Sequence, residues 1–228
     1  MTKGSSMSRR RLLAAGLGSA AAGVAASDPL SAAVFPRPDG RLAATPWQTP
    51  GPFYPKELPL DSDTDLVQVA GQPRPAAGTP IQVFGRVLTD AGKPVPGARV
   101  ELWQCDAFGR YHHPRDRGGN ADPAFQGYGH TTVGDEAAFR FRTIKPVAYP
   151  GRAPHIHFAV SGPGFERLTT QMYVAGEPLN ERDGILNRIA DPLARKSVIV
   201  ELAPAPEVEP DGLAGSFDIV LGRNLVQG

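Results

Sequence analysis

Ile81-Gln82-Val83-Phe84-Gly85-Arg86-Val87-Leu88-Thr89, then Asp90-Ala91-Gly92-Lys93-Pro94-Val95-Pro96-Gly97, then Ala98-Arg99-Val100-Glu101-Leu102-Trp103-Gln104, reads as a strand, a tight connection and a second strand. In the second strand Val100, Leu102 and Gln104 share one face, and Arg99, Glu101 and Trp103 share the other. Working outward, similar short runs predict strands at Ala138 to Arg142, His155 to Ser161, Thr169 to Val174, Ser197 to Leu202 and Ser216 to Leu221. No segment carries a long 3.6-residue apolar period, and the one modest helical candidate is Arg182 to Ile189. The polar stretch from His112 to His130, with Gly118-Gly119-Asn120, reads as a long loop bordering a pocket. Seven or so strands with hairpin-length links predict an all-β fold, a β-sandwich of mostly antiparallel strands with long active-site loops.

Composition agrees with one such domain. The 228 residues suffice for a sizeable core, and Gly (26) and Pro (24) together exceed a fifth of the chain, scattered between apolar runs as turn residues. A net charge of +1 gives no reason to expect a nucleic-acid surface. The single cysteine, Cys105, excludes an intramolecular disulfide and reads as a buried structural thiol.

Ahead of this domain, Ser8-Arg9-Arg10-Arg11-Leu12-Leu13 opens an alanine-rich run ending near Ala26, too short and too weakly apolar for a membrane span. Paired arginines before such a run look like a twin-arginine export signal over 1–26, cleaved after Ala26 or Ala33, which implies a periplasmic or extracellular protein. Residues 27–44 read as a linker and 45–228 as the catalytic domain.

The chemistry concentrates in Tyr149-Pro150-Gly151-Arg152-Ala153-Pro154-His155-Ile156-His157-Phe158. On a strand His155 and His157 leave the same face, a geometry that suits one metal ion. Tyr111, upstream in Gly109-Arg110-Tyr111, is a second candidate phenol beside Tyr149. Two phenolates and two imidazoles favour a hard trivalent cation, whereas zinc is usually held by thiolate, imidazole and carboxylate. A phenol of ordinary pKa about 10 ionises near neutrality only beside a strong cation. The set reads as a mononuclear ferric site.

Four stretches then resemble the intradiol ring-cleavage dioxygenases, the group that includes protocatechuate 3,4-dioxygenase. They are Thr45-Pro46-Trp47-Gln48-Thr49-Pro50-Gly51-Pro52-Phe53-Tyr54, Gly97 to Gln104 continuing to Tyr111, Thr143-Ile144-Lys145-Pro146 through Phe158, and Leu168-Thr169-Thr170-Gln171-Met172-Tyr173. The resemblance implies one non-haem Fe(III) per chain, held by Tyr111, Tyr149, His155 and His157. It also implies Tyr149 as a ligand that leaves the metal and takes a substrate proton, Arg152 over the substrate, and Gln171 organising the pocket. Gly51, Pro52 and Tyr54, with Arg152, would wall a small aromatic diol, cleaved by O2 between its hydroxylated carbons to a cis,cis-muconate.

Two departures from the family pattern bear on substrate. No tryptophan follows Tyr149 closely, and only five residues separate Tyr149 from His155. The helical dimerisation region of catechol 1,2-dioxygenases is also absent, which leaves self-association open. Two other readings compete. Gly85 to Ala98 also resembles transthyretin-like binding modules, which would make the chain a non-catalytic β-sandwich, and His155 and His157 alone would suit zinc or copper.

Overall fold

A computed structural model describes residues 34–59 and 61–222, so the expected export segment lies outside the described residues. Two five-stranded sheets face each other, as the period-two patterns predict. In the first, β1 (Pro80–Thr89) is central, with β4 (Ala138–Ile144) antiparallel on one side. Its other side takes β9 (Leu213–Ser216) and β10 (Ile219–Leu221) in parallel, and β8 (Ala203–Pro204) follows β9. The second sheet runs β3 (Tyr128–Thr132), β2 (Arg99–Trp103), β5 (His155–Gly162), β6 (Phe165–Val174), β7 (Ile199–Val200). Ile81, Val83 and Val87 of the first sheet and Val100, Leu102, Ile156, Phe158 and Val160 of the second meet in one buried core.

The links differ from the hairpins expected. Gly92 to Gly97 carries the chain from β1 in one sheet to β2 in the other, and the links β3–β4 and β4–β5 cross between sheets in the same way. Among the strands described, β5 and β6 form a tight hairpin, irregular between Val160 and Gly162, and Lys93 to Val95 also folds back on Val87 to Thr89 before the chain crosses to β2.

Local chemistry corrects other boundaries. The last part of the expected loop is strand β3, paired along β2 from Arg99 to Trp103. Arg182 to Ile189 is not a helix. The Asp183 side chain takes the amides of Ile185 and Leu186, and only a 3₁₀ turn, Leu186–Arg188, follows. The α-helix α1 is Pro192–Ser197, capped by Asp191 with proline in its first turn, so Ser197 belongs to it rather than to a strand. The expected strand from Ser216 to Leu221 is two strands, β9 ending at Ser216 and β10 starting at Ile219.

Residues 34–44, read as linker, are docked. Ala43 donates to the Phe35 carbonyl, Leu42 to that of Asp90, and Arg37 pairs with Asp191. Residues 45–54 continue as a strap over the outer face of the second sheet. Thr45 bonds Val220, and Gln48 donates its amide to Thr169 and accepts from the amide of Gln171. Among the described residues no helix is long and apolar enough to cross a membrane.

Candidate metal centre

Register assembles the centre. Across three strands Trp103 stands opposite His157 and His157 opposite Gln171, while His155 stands opposite Tyr173. These side chains leave the face away from the core, under the strap. On the face of β2 that Arg99, Glu101 and Trp103 share, Glu101 at 3% and Trp103 at 1% exposure are therefore buried as well, and Arg99 is half-buried.

Tyr149 and Arg152 come from the link before β5. The Arg152 amide donates to the Tyr149 carbonyl at 2.9 Å, Pro150 follows Tyr149, and Gly151 has φ +83°. That is a type II turn, which needs the left-handed conformation at its third residue. The five-residue spacing is short because this turn reverses the chain at once, leaving phenol and guanidinium at its two ends. Tyr111 arrives from the opposite side. The Asp106 carboxylate accepts from the amides of Phe108 and Arg110, closing a small loop, and the Tyr111 amide donates to Asp116.

The structure thus gathers Tyr111, Tyr149, His155 and His157. The two Nε2 atoms face each other at 3.2 Å, and the Tyr149 Oη lies 3.4 Å from His155 Nε2. Ring centroids of Tyr111 are 5.8 Å from Tyr149 and 6.3 Å from His157. His155 Nδ1 lies 2.7 Å from the Ala153 carbonyl; donating there fixes the tautomer that leaves a lone pair on Nε2. Burial pushes Tyr111 well above the ordinary phenol range and raises Tyr149 too. Burial lowers His155 to about 4 and takes His157 well below its usual value. Without a cation the four are neutral, and the buried Tyr111 hydroxyl has no hydrogen-bond partner.

That donor set fits a metal ion. Two imidazole lone pairs and two acidifiable phenols converge with Arg152 as the cation acting on them, and its charge does not offset the burial that keeps both phenols protonated. Among the described residues no three His, Cys, Asp or Glu gather in metal-binding fashion, so a cation held here depends on the phenols. Cys105 is no rival ligand: burial pushes its thiol up to about 12, and its Sγ points to the Val147 carbonyl.

Around the four lie the other expected residues. Arg152 Nε donates to Asp183 at 2.9 Å, and Nη2 donates to Gln171 Oε1 and to the Tyr173 hydroxyl. Gln171 is fully buried and anchors the strap through the Thr49 carbonyl at 2.9 Å. Gly51 has φ +68°, and a side chain there would begin 3.6 Å from the His157 ring. Pro52 is exposed. Tyr54 turns away, donating to Glu101 and packing edge-on against Trp103, while its neighbour Phe53 stacks on Tyr111 at 4.6 Å. His112 lies 3.0 Å from the Asp122 carbonyl, and His113 packs at the edge of Phe53, so neither joins the donors.

Sequence reasoning passed over Phe53, Trp103 and Asp183. Trp103 was visible as one of the two tryptophans, but its role depends on strand register. A cavity of about 560 Å³ lies beside Tyr111, walled by Phe53, Phe125 and Tyr128 with Glu57 and Asp61, and is lined by none of Tyr149, His155 and His157.

Comparison with known proteins bears on this arrangement. Residues 49–223 match a family model described as Dioxygenase. The protocatechuate 3,4-dioxygenase beta chain of Burkholderia cepacia is 40% identical over 183 residues, covering 76% of this chain and 77% of that one. The hydroxyquinol 1,2-dioxygenase of Nocardioides simplex is 33% identical, covering 75% of this chain but only 62% of its own length. The dioxygenase domain of a carbohydrate-binding fusion from Streptomyces sp. SirexAA-E superposes with a TM-score of 0.61 at 34% identity, covering 79% of this chain and 99% of that domain.

Proposed function

The chain belongs to the dioxygenase family, and from that premise we propose that it is a non-haem Fe(III) intradiol enzyme acting on catechol-type rings. O2 would enter between the two hydroxylated carbons, with both oxygen atoms retained in the carboxyls of a cis,cis-muconate. The balance closes without an outside reductant. The observation that supports this reading is the convergence of Tyr111, Tyr149, His155 and His157, whose Tyr149 Oη and two Nε2 atoms have one another for partners at that point while the buried Tyr111 hydroxyl has no hydrogen bond. These four would hold the ion. When bound, Fe(III) supplies the Lewis acidity that keeps the diol as its dianion and makes that ring reactive toward O2.

The chain's own residues do the rest. Tyr149 Oη, at the end of a turn and ionised only when the metal is held, would take the proton of one ring hydroxyl as substrate arrives, the second proton leaving to solvent. Arg152 places a fixed positive charge where the attacked ring gathers negative charge. Gln171 holds Arg152 from one side and the strap from the other, and the strap over His157 keeps water from the reacting ring. The paired arginines at 9–11 support export of the folded protein, because a site built from separated strands exists only after folding.

Incubating the iron-loaded protein with catechol and isotopically labelled O2 tests the reading. Two labelled oxygen atoms in one ring-opened diacid are expected, and an intact ring would overturn it. Tyr149→Phe should cost about 100-fold in kcat, the scale of losing a positioned base. Replacing Arg9 and Arg10 by lysine should retain the protein in the cytoplasm on cell fractionation. Unchanged export would remove the twin-arginine assignment.

A further inference from the structure

Asp183 has no place in the chemistry so far, yet it is 1% exposed and its carboxylate is spent on four bonds. Oδ2 accepts from Arg152 Nε and from the Ala153 amide, both at 2.9 Å. Oδ1 accepts from the Ile185 amide at 2.9 Å and the Leu186 amide at 3.0 Å. Burial alone would push this carboxyl up, but the Leu186 and Ala153 amides and Arg152 outweigh it and hold it below the usual range. One anion therefore ties the Tyr149–Arg152 turn to the segment after β6.

The consequence lies in the guanidinium. A planar fork pinned at Nε by a carboxylate cannot rotate about its long axis without breaking a charge-assisted bond. Nη2 is fixed in turn by Gln171 and Tyr173, and the guanidinium also acts on the Tyr149 phenol at the other end of the turn. With two edges held, the third is presented.

We infer that Asp183 is the positioning residue of this centre, aiming the third edge of Arg152 at the bound ring. The inference rests on the proposed intradiol reading. Asp183 touches no substrate, and the effect of losing it runs through Arg152. An asparagine there puts an amide N–H against two donors on one side or the other, and in either orientation the charge that pins the fork is lost while the volume is kept.

The experiment is a double-mutant cycle on the iron-loaded protein with catechol, reading kcat, KM and the affinity for catechol under nitrogen. Asp183→Asn should lower kcat by about 10- to 100-fold, toward the scale of a lost charge-stabilising group, with KM and anaerobic affinity changed less than about threefold. In an Arg152→Ala background the same substitution should cost less than about threefold in kcat, the non-additivity expected of coupled neighbours. Equal losses in both backgrounds would mean that Asp183 only supports the fold, and would overturn the inference. Should Asp183→Asn not fold, Arg152→Lys decides. It keeps the charge and leaves Asp183 on its four-residue turn but removes the fork, so it should reproduce the kcat loss, and full kcat would overturn the inference. If the wild-type protein cleaves no catechol, the intradiol reading itself fails, a result distinct from an additive cycle in an active enzyme.

Discussion

Trp103 lies flat against His157, ring planes 6° apart and centroids 4.8 Å apart. Metal-binding histidines usually donate their second N–H to a fixed acceptor, which sets tautomer and tilt. His155 has such an acceptor in the Ala153 carbonyl, but the buried His157 Nδ1 has none among the described residues. The indole plane does that work instead: it leaves the imidazole no room to tilt while making no demand on its tautomer. Trp103→Leu should therefore loosen iron by roughly 10-fold, the lower end of losses seen when a ligand's support is removed. Competition with a chelator would measure it, and unchanged affinity would assign the orientation of His157 to the backbone alone. The residue types of the centre were legible in the sequence because Tyr149, Arg152, His155 and His157 fall within nine residues. Trp103, Phe53 and Asp183 were not, because their contacts come from cross-strand register and from a strap distant in sequence.

Two elements carry the centre, and each has a chemical origin. The turn Tyr149-Pro150-Gly151-Arg152 exists because proline presets its second position and glycine accepts φ +83° at its third. Gly151→Val puts a β-branched side chain in that left-handed position, at a cost of about 1–2 kcal/mol. Because phenol and guanidinium sit at the two ends of this turn, thermal stability and turnover should fall together. A variant with unchanged melting and rate would show that the turn does not position them. The strap depends on Gln48, whose side chain accepts from Gln171 and donates to Tyr173. Strands with strong alternation, such as β2 and β5, were legible. β3 was hidden because Tyr128-Gly129-His130-Thr131-Thr132 follows a polar, glycine-rich stretch and gains its strand character by pairing with β2. The helical pattern at Arg182 to Ile189 failed because Asp183 captures the amides a helix would have used, whereas Asp191-Pro192 was a readable start signal for α1.

At the scale of the molecule, a nearly neutral sandwich presents one sheet face to a strap and sets its reactive side chains between them. Acid should reach this arrangement through the loop that carries Tyr111. Asp122 there holds Arg74 and the amides of Ala77 and Ala124, which against the cost of burial bring its carboxyl down to about 2. Its folded value is depressed, so its contribution is complete above the unfolded carboxylate pKa of about 3.9. It is lost as pH falls toward about 2. Asp122→Asn should lower the melting temperature at neutral pH and flatten its fall across that window; a parallel fall in both proteins would exclude the role. The sandwich class was legible from period-two patterns, while the crossing of links between sheets was not, because link length does not tell a hairpin from a step to the facing layer. The central claim is that two tyrosinates and two histidines hold Fe(III) and yield one position to a catechol. The direct measurement is the absorption spectrum of protein with known iron content, before and after catechol is added under nitrogen. The account predicts a burgundy tyrosinate-to-iron band that shifts when catechol binds; a colourless protein with full iron occupancy would contradict it.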